Sequence, residues 1–361
     1  MSDYTARPVK TREDQIQFLR FIMFLFVCFF HTGMWGAFRY PDFNGAVSAV
    51  SFFFMLSGTL CGFYARDKQC ELSVKNIAAD VFRRGRKLYG LYFITTIFAI
   101  FWSDLPALIL SGRFSEAKQP LFQLGCHLLM IQSWFPEGYF SYNGISWYLS
   151  ALMFLYLLNL PLTVLLKKID SMPRRKWISI AGMAICFGLT TIYSYFSYTE
   201  NAVFWHYIFP PARIGQYIFG AFLGYAIRSI KDRVYDGRMK WFFYTAAEIG
   251  VLLFWIISLY ICPMESWHLR LVDWFLPNML LLAVFFIGKG GISQLFRMKG
   301  FVKLGNVSAD CYLIHLIIYN LFIALSGITP VSRLDTLLCV GFPLCFTLLL
   351  AFYFNRNNVQ R

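Results

Sequence analysis

Charge is what this sequence lacks. Of its 361 residues only 14% are Asp, Glu, Lys or Arg, against roughly 25% in a soluble globular domain, whose surface needs solvating groups. That shortage excludes a soluble α/β enzyme or a nucleic-acid binder as the reading of the whole chain. Nine cysteines are present, mostly inside apolar runs, and none forms a Cys-x-x-Cys pair. Neither a disulfide framework nor a metal site is indicated. Internal repeats, low-complexity tracts and domain boundaries are also missing, so a single integral-membrane domain with a core of about 14–355 is expected. The first apolar stretch is too long for the core of a cleavable signal, and it is expected to be retained.

What the chain has is apolar length. Hydrophobic residues make up 58% and aromatic residues 20%, with mean hydropathy +0.54. They gather in runs of about 20, the length that crosses a hydrocarbon core of roughly 30 Å. Ten spans are predicted near 17–37, 45–65, 88–110, 145–167, 177–197, 210–228, 241–261, 271–288, 304–326 and 335–354. An eleventh candidate, 121–135, is shorter and carries Gln123, His127 and Gln132. If it does not cross, most of the 33 lysines and arginines fall on the side of the N-terminus. Only Arg39, Arg113, Lys118, Arg270 and Arg333 fall outside, with Arg20 and Arg213 inside spans. If it crosses, that asymmetry collapses. The positive-inside rule therefore predicts an all-α bundle of about ten spans, both termini cytoplasmic, with 121–135 re-entrant or interfacial. The net charge of +14 then reflects cytoplasmic loops facing a bilayer rather than a nucleic-acid partner. No extracytoplasmic stretch is large enough for a catalytic domain, so function must reside in the bundle.

Charged side chains at bilayer depth cost about 2.5–3.5 kcal/mol each on insertion scales, which marks them for attention. In QIQFLRFIMFLFVCFFHTG of the first span, Arg20 and His31 lie eleven residues apart, close to three helical turns, on one face and roughly 16 Å apart along the axis. The plainer alternative for Arg20 is snorkelling to the headgroups, and for His31 a bond to a neighbouring helix. Ser57 and Gly58 interrupt the apolar second span, where small residues admit a backbone or a ligand. Arg83, Arg84, Arg86 and Lys87 cluster before the third span, either as ordinary inside charge or as a phosphate-binding group suited to arginine's planar fork. Asn143, Ser146 and Trp147 open the fourth span, Arg213 follows Pro210-Pro211, and Asp310 and His315 lie within the ninth. Glu248 is a further deep carboxylate, expected only to pair with a neighbour.

These elements resemble, in order, the motifs of the bacterial membrane acyltransferase family 3, the polytopic O-acyltransferases of cell-surface glycans. FLRFIMFLFVCFFH (18–31) is similar to the family's Leu-Arg…His opening, and SFFFMLSGTL (51–60) to its Ser-Gly-Phe-Leu element, with Thr59 where phenylalanine is usual. RRGRKLYGLY (83–92) resembles the arginine motif, with either Arg83 and Arg86 or Arg84 and Lys87 as the matching pair. SWYLSALMFLY (146–156) resembles the Trp-x-Leu span but lacks the glutamate that many members carry after the tryptophan. RIGQYIFGAFLGY (213–225) and LGNVSADCYLIH (304–315) match two later elements.

The resemblance implies transfer of an acyl group, most often acetyl, from cytoplasmic acyl-coenzyme A to a hydroxyl of a glycan or lipid-linked sugar at the outer face of a bacterial inner membrane. Acetyl-coenzyme A or another acyl-coenzyme A is then a donor substrate, with no bound cofactor and no metal. It further implies polysaccharide biosynthesis, with polysaccharide-assembly proteins as partners. His31 is expected to be catalytic, as general base or transient acyl carrier. Arg20, Ser57, Gly58, Arg83, Arg86, Trp147, Arg213 and His315 are expected to bind substrate. The competing reading is a transporter or flippase of glycan intermediates, which would call for more mid-depth carboxylates than Asp310 and Glu248.

Overall fold

The computed structural model describes residues 13–32, 45–68, 71–196, 200–231, 238–262, 272–328 and 332–359. Among the described residues all regular structure is helical. The α-helices are α1 (Asp14–His31), α2 (Gly45–Phe63), α3 (Val74–Ile100), α4 (Leu105–Leu110), α5 (Phe114–Leu128), α6 (Trp147–Tyr156), α7 (Asn159–Asp170), α8 (Arg175–Phe196), α9 (Ile214–Lys231), α10 (Arg238–Ile261), α11 (Phe275–Ile287), α12 (Gly291–Phe296), α13 (Lys299–Ser326) and α14 (Arg333–Val359). Six are long and apolar enough to cross a membrane: α1, α2, α8, α10, α13 and α14. The chain is a membrane protein.

Each of the ten expected intervals holds helix, but four depart from a straight apolar span. The interval 145–167 is broken between α6 and α7 by a 47° bend, and the two halves make a seventh crossing only if taken together. Pro161 explains the break, because it has no N–H to return to the carbonyl of Leu157. The interval 88–110 is displaced. Ser73 accepts a hydrogen bond from the Asn76 N–H at 3.1 Å and starts α3 inside the basic loop, and α3 ends at Ile100, short of the Asp104–Pro106 turn. Helix α9 begins only after a 3₁₀ turn at Pro210–Arg213, and α11 has 13 residues. Parts of the expected spans 17–37, 177–197 and 271–288, and both chain termini, lie outside the described residues.

Burial separates a central post from a periphery. The apolar window of α2 is 83% buried, against 22% in α8 and in α10. Glycines explain how α2 reaches the centre. A Cβ at Gly58 would lie 1.9 Å from the Tyr217 carbonyl oxygen, and one at Gly220 would lie 2.2 Å from that of Met55. Gly62 and Gly224 make the same approach one turn on. The two Gly-x-x-x-Gly stretches thus bring the α2 and α9 backbones into contact, the usual means of close association between helices in lipid. Gln216 reaches Ser51 at 3.2 Å near one end, and the Arg228 guanidinium lies 5.4 Å from the Phe63 ring near the other. The two helices therefore run parallel.

A second parallel pair carries the histidines. Phe18 of α1 stacks near Phe301 of α13 at 4.2 Å, and a Cβ at Gly305 would collide with the Gln17 backbone. Further along, Tyr319 donates to the Thr32 carbonyl at 3.3 Å. Glu248 is fully buried and accepts from the Gly290 and Ser293 N–H groups at 3.0 and 3.1 Å and from the Ser293 hydroxyl at 2.5 Å. Its carboxylate caps the N-terminus of α12, where negative charge is favoured.

Candidate functional site

At the basic end of the bundle, the start of α1 is tied down by ion pairs. Lys231 bonds Glu13 at 2.6 Å, and Asp170 accepts from Arg66 at 2.8 Å, Tyr225 at 2.7 Å and Arg175 at 3.0 Å. Between α3 and α7 at this end lies an open cavity of about 730 Å³, lined by Glu71, Asn76, Asp80, Arg83, Leu160 and Lys167. Asp80 organises its wall. Its carboxylate bonds Arg83, Arg84 Nε at 2.8 Å and Asn159 Nδ2 at 2.6 Å. Burial pushes this carboxyl upward, but the bonds from Arg84, Asn159 and Arg83 outweigh it and hold it below the ordinary carboxylate range. Arg84 also lies over the Tyr156 ring at 5.0 Å.

The clustered bases do not act as one group. Arg83 lines the cavity just described, whereas Arg86 lines a separate apolar groove of about 770 Å³ between α3 and α6, walled by Phe82, Met130, Trp134 and Phe154. Sequence reasoning missed Asp80 and Asn159. The signal for Asp80 was present, since an aspartate three and four residues before arginines makes ion pairs on one helix face.

From Arg84 a line of polar and aromatic groups runs through the bundle. The Tyr156 ring lies under the Arg84 guanidinium, and Tyr148 stands two turns earlier on α6 with its ring 6.2 Å from that of Phe53. The Ser57 hydroxyl donates to the Phe53 carbonyl at 2.9 Å. The Tyr148 ring lies 5.7 Å from Tyr312, which lies 6.0 Å from His315. Arg20 flanks this line; it bonds Gln17 at 2.9 Å and sits within electrostatic reach of Asp310.

The far end of the line is His31. Its Nδ1 lies 3.4 Å from Nε2 of His315. His315 is 1% exposed and held between the rings of Phe24 at 5.5 Å and Tyr312. His31, in the last turn of α1, is only half-buried. Parallel α1 and α13 bring together two histidines that are 284 residues apart in sequence.

Arg213 and Trp147 form a neighbouring cluster. Arg213 is fully buried; its Nε and Nη2 donate to the Tyr207 carbonyl at 3.0 and 2.7 Å and its Nη1 to Gln216 at 3.0 Å. Its guanidinium faces the rings of Tyr207, Phe54 and Trp147 at 4.6, 5.2 and 6.0 Å. A cation desolvated this deeply is retained by carbonyls and π faces. Gly58, expected beside the substrate, meets the Tyr217 backbone instead. The 121–135 segment folds back onto α3 and α6: Tyr92 donates to the His127 carbonyl at 2.6 Å, and the Ser133 and Ser150 hydroxyls meet at 2.6 Å; beyond the segment, Asn143 donates to the Leu313 carbonyl of α13 at 3.1 Å.

Comparison with known proteins agrees with the motif order. The family described as an acyltransferase domain matches residues 13–356. Acyltransferase MdmB of Streptomyces mycarofaciens is 30% identical over 197 residues, which is 50% of this chain and 46% of that protein. The aligned region thus spans less than half of that relative. No solved structure matches the chain. With nearly its whole length matched, the chain belongs to the membrane acyltransferase family 3.

Proposed function

We propose that the protein is a membrane O-acyltransferase that takes an acyl group, acetyl in the first instance, from cytoplasmic acyl-coenzyme A and delivers it to a hydroxyl of a cell-surface or lipid-linked glycan. The single observation that carries this reading is the two-ended column: an arginine-walled cavity at the basic end, joined through Tyr156, Tyr148 and Tyr312 to the His31–His315 pair at the other end. Cations at the basic mouth suit the phosphates of coenzyme A, with Arg83 and Lys167 on the cavity wall and Arg84 behind Asp80. The slender pantetheine arm follows the column. At its end His31 accepts the proton of the acceptor hydroxyl as that oxygen attacks the thioester carbonyl. Collapse of the tetrahedral adduct expels the coenzyme A thiolate, which takes the proton back from the imidazolium. An imidazole suits this exchange because its unperturbed pKa lies near neutrality.

The orientation belongs to the same proposal. Its basic residues support a cytoplasmic side for the Asp80 end, in a bacterial inner membrane. Two parallel pairs support ten crossings. Helices α1 and α13 are the first and ninth, and α2 and α9 the second and sixth, only if 121–135 does not cross. A crossing there would make each pair antiparallel. In a cysteine-free background, cysteine at Phe140 should react with an impermeant thiol reagent from outside, and cysteine at Arg174 only after permeabilisation. Labelling of both from one side would refute the topology.

The activity is tested by comparing the glycans of parent and deletion strains by mass spectrometry. An acyl mass present in the parent, absent in the deletion and restored by the gene is expected. Identical glycans, with no acyl-coenzyme A consumed by the purified protein, would refute the proposal.

A further inference from the structure

His315 has partners on both ring nitrogens, and those partners determine where its proton sits. Its Nδ1 lies 2.8 Å from the Tyr312 carbonyl oxygen and 3.3 Å from that of Cys311. Carbonyl oxygens only accept, so Nδ1 carries the hydrogen. At 1% exposure, between the Phe24 and Tyr312 rings, an unpaired imidazolium would be heavily penalised, and a neutral imidazole has a single N–H. Nε2 of His315 therefore presents a lone pair, and this lone pair faces His31 Nδ1 at 3.4 Å. A ring nitrogen opposite a lone pair bonds only by donating. This contact selects the Nδ1–H form of His31. The other nitrogen, Nε2, is left with a lone pair.

We infer that His315 is a positioning residue that holds His31 in the Nδ1–H tautomer, so that Nε2 is the atom that accepts the acceptor hydroxyl's proton. This deepens the acyl-transfer reading and rests on it for the role of Nε2. It assigns His315 an orienting function rather than contact with substrate. The chemistry is that of a base whose second nitrogen is fixed by a hydrogen bond, with a neutral imidazole in place of the carboxylate of a serine-protease triad. The Phe24 and Tyr312 rings fix the plane of His315, and the Tyr312 carbonyl fixes its tautomer. The relay therefore begins at the α13 backbone and ends at His31 Nε2. At 3.4 Å the histidine contact is long, as hydrogen bonds of catalytic groups often are before substrate tightens them.

The test uses full-length protein, ring-labelled with ¹⁵N at histidine and held in lipid nanodiscs, with His31 signals assigned by their loss in His31→Gln. In the wild type, His31 should show a protonated Nδ1 and an unprotonated Nε2. His315→Gln places an amide oxygen near the lost Nε2 and should preserve that pattern; His315→Met offers no comparable acceptor and should shift His31 toward Nε2–H. At equal protein levels, glycan acylation in cells should stay within about threefold of wild type for the glutamine variant. It should fall at least about tenfold for the methionine variant, toward the roughly 10⁴ that a wrong tautomer costs a triad. A wild-type His31 protonated on Nε2, equal loss in both variants, or no loss in the methionine variant would each overturn the inference. Equal loss would instead make His315 a proton or acyl carrier. The expected ¹⁵N pattern in a wild type that acylates nothing would sink the functional reading while leaving the tautomer assignment standing.

Discussion

The two ends of the polar column solve opposite problems. At the basic end, Asp80 gathers Arg83, Arg84 and Asn159 around one carboxylate beside an open cavity. At the far end, two imidazoles meet among aromatic rings, with backbone carbonyls as the other partners of His315. Charge near water is screened, so exposed Arg83 can leave and rejoin the cluster at modest cost while Arg84 and Asn159 stay on the buried Asp80 carboxylate. In the dry end a single hydrogen bond decides which atom holds a proton, because an unsatisfied group there is costly. Under the proposed function, the comparison teaches a division of labour: affinity for the donor would reside at one end, and proton transfer at the other.

The sharpest way to break this division is His31→Gln. Acyl transfer should fall by roughly 10²–10⁴-fold, the usual contribution of a general base, with acyl-coenzyme A affinity unchanged. Loss of donor binding, measured by calorimetry, would merge the two ends into one site. Next come Arg83→Gln and Arg84→Gln. Each should weaken donor binding by about 1.5–3 kcal/mol, the range for hydrogen bonds to charged groups, while turnover at saturating donor is kept. Unchanged affinity would return these arginines to ordinary inside charge. Glu248→Gln touches neither end. Weakened bonds to the α12 N-terminus should lower stability by about 1–2 kcal/mol with activity intact, and a fall in turnover without a fall in melting temperature would show that α12 belongs to the site. The smallest effect is in pH. Asp80 is held below its ordinary range, so its contribution to stability is fully present above the unfolded pKa near 4 and is lost only as pH falls through the depressed folded value. The stability that this cluster contributes should therefore be flat from about pH 6 to 8; a step in melting temperature within that window that Asp80→Asn abolishes would overturn this assignment.

Much of the helical order was legible in the sequence, because runs of apolar residues and the asymmetry of basic loops are local signals. The shared face of Arg20 and His31 followed from helical period alone. What could not be read was which helices touch. Gly58 was read beside a ligand, whereas the paired glycine spacings in 58–62 and 220–224 mark backbone contact between α2 and α9. Arg83 and Arg86 are paired only through the resembled arginine motif, with Arg84 and Lys87 as the alternative, yet α3 stands between two openings and its sides face different cavities. Pro161 was absorbed into a continuous span although its missing N–H breaks the helix and delivers Asn159 to Asp80. His315 stood out as an intramembrane histidine, but its meeting with His31 depends on Gly305 letting α13 settle against Gln17, a long-range fact no window of sequence contains.

The glycine contact at the centre has a mechanical meaning. Where α2 meets α9, backbone lies on backbone, with no layer of side chains that can change rotamer to let the helices part. That pair is a fixed mast. The α3–α6 seam is different: a Cβ at Gly85 would meet only the thioether end of Met153, an unbranched chain with three rotatable bonds. Any widening of the bundle therefore falls more easily at the seam closed by Met153 than at the mast.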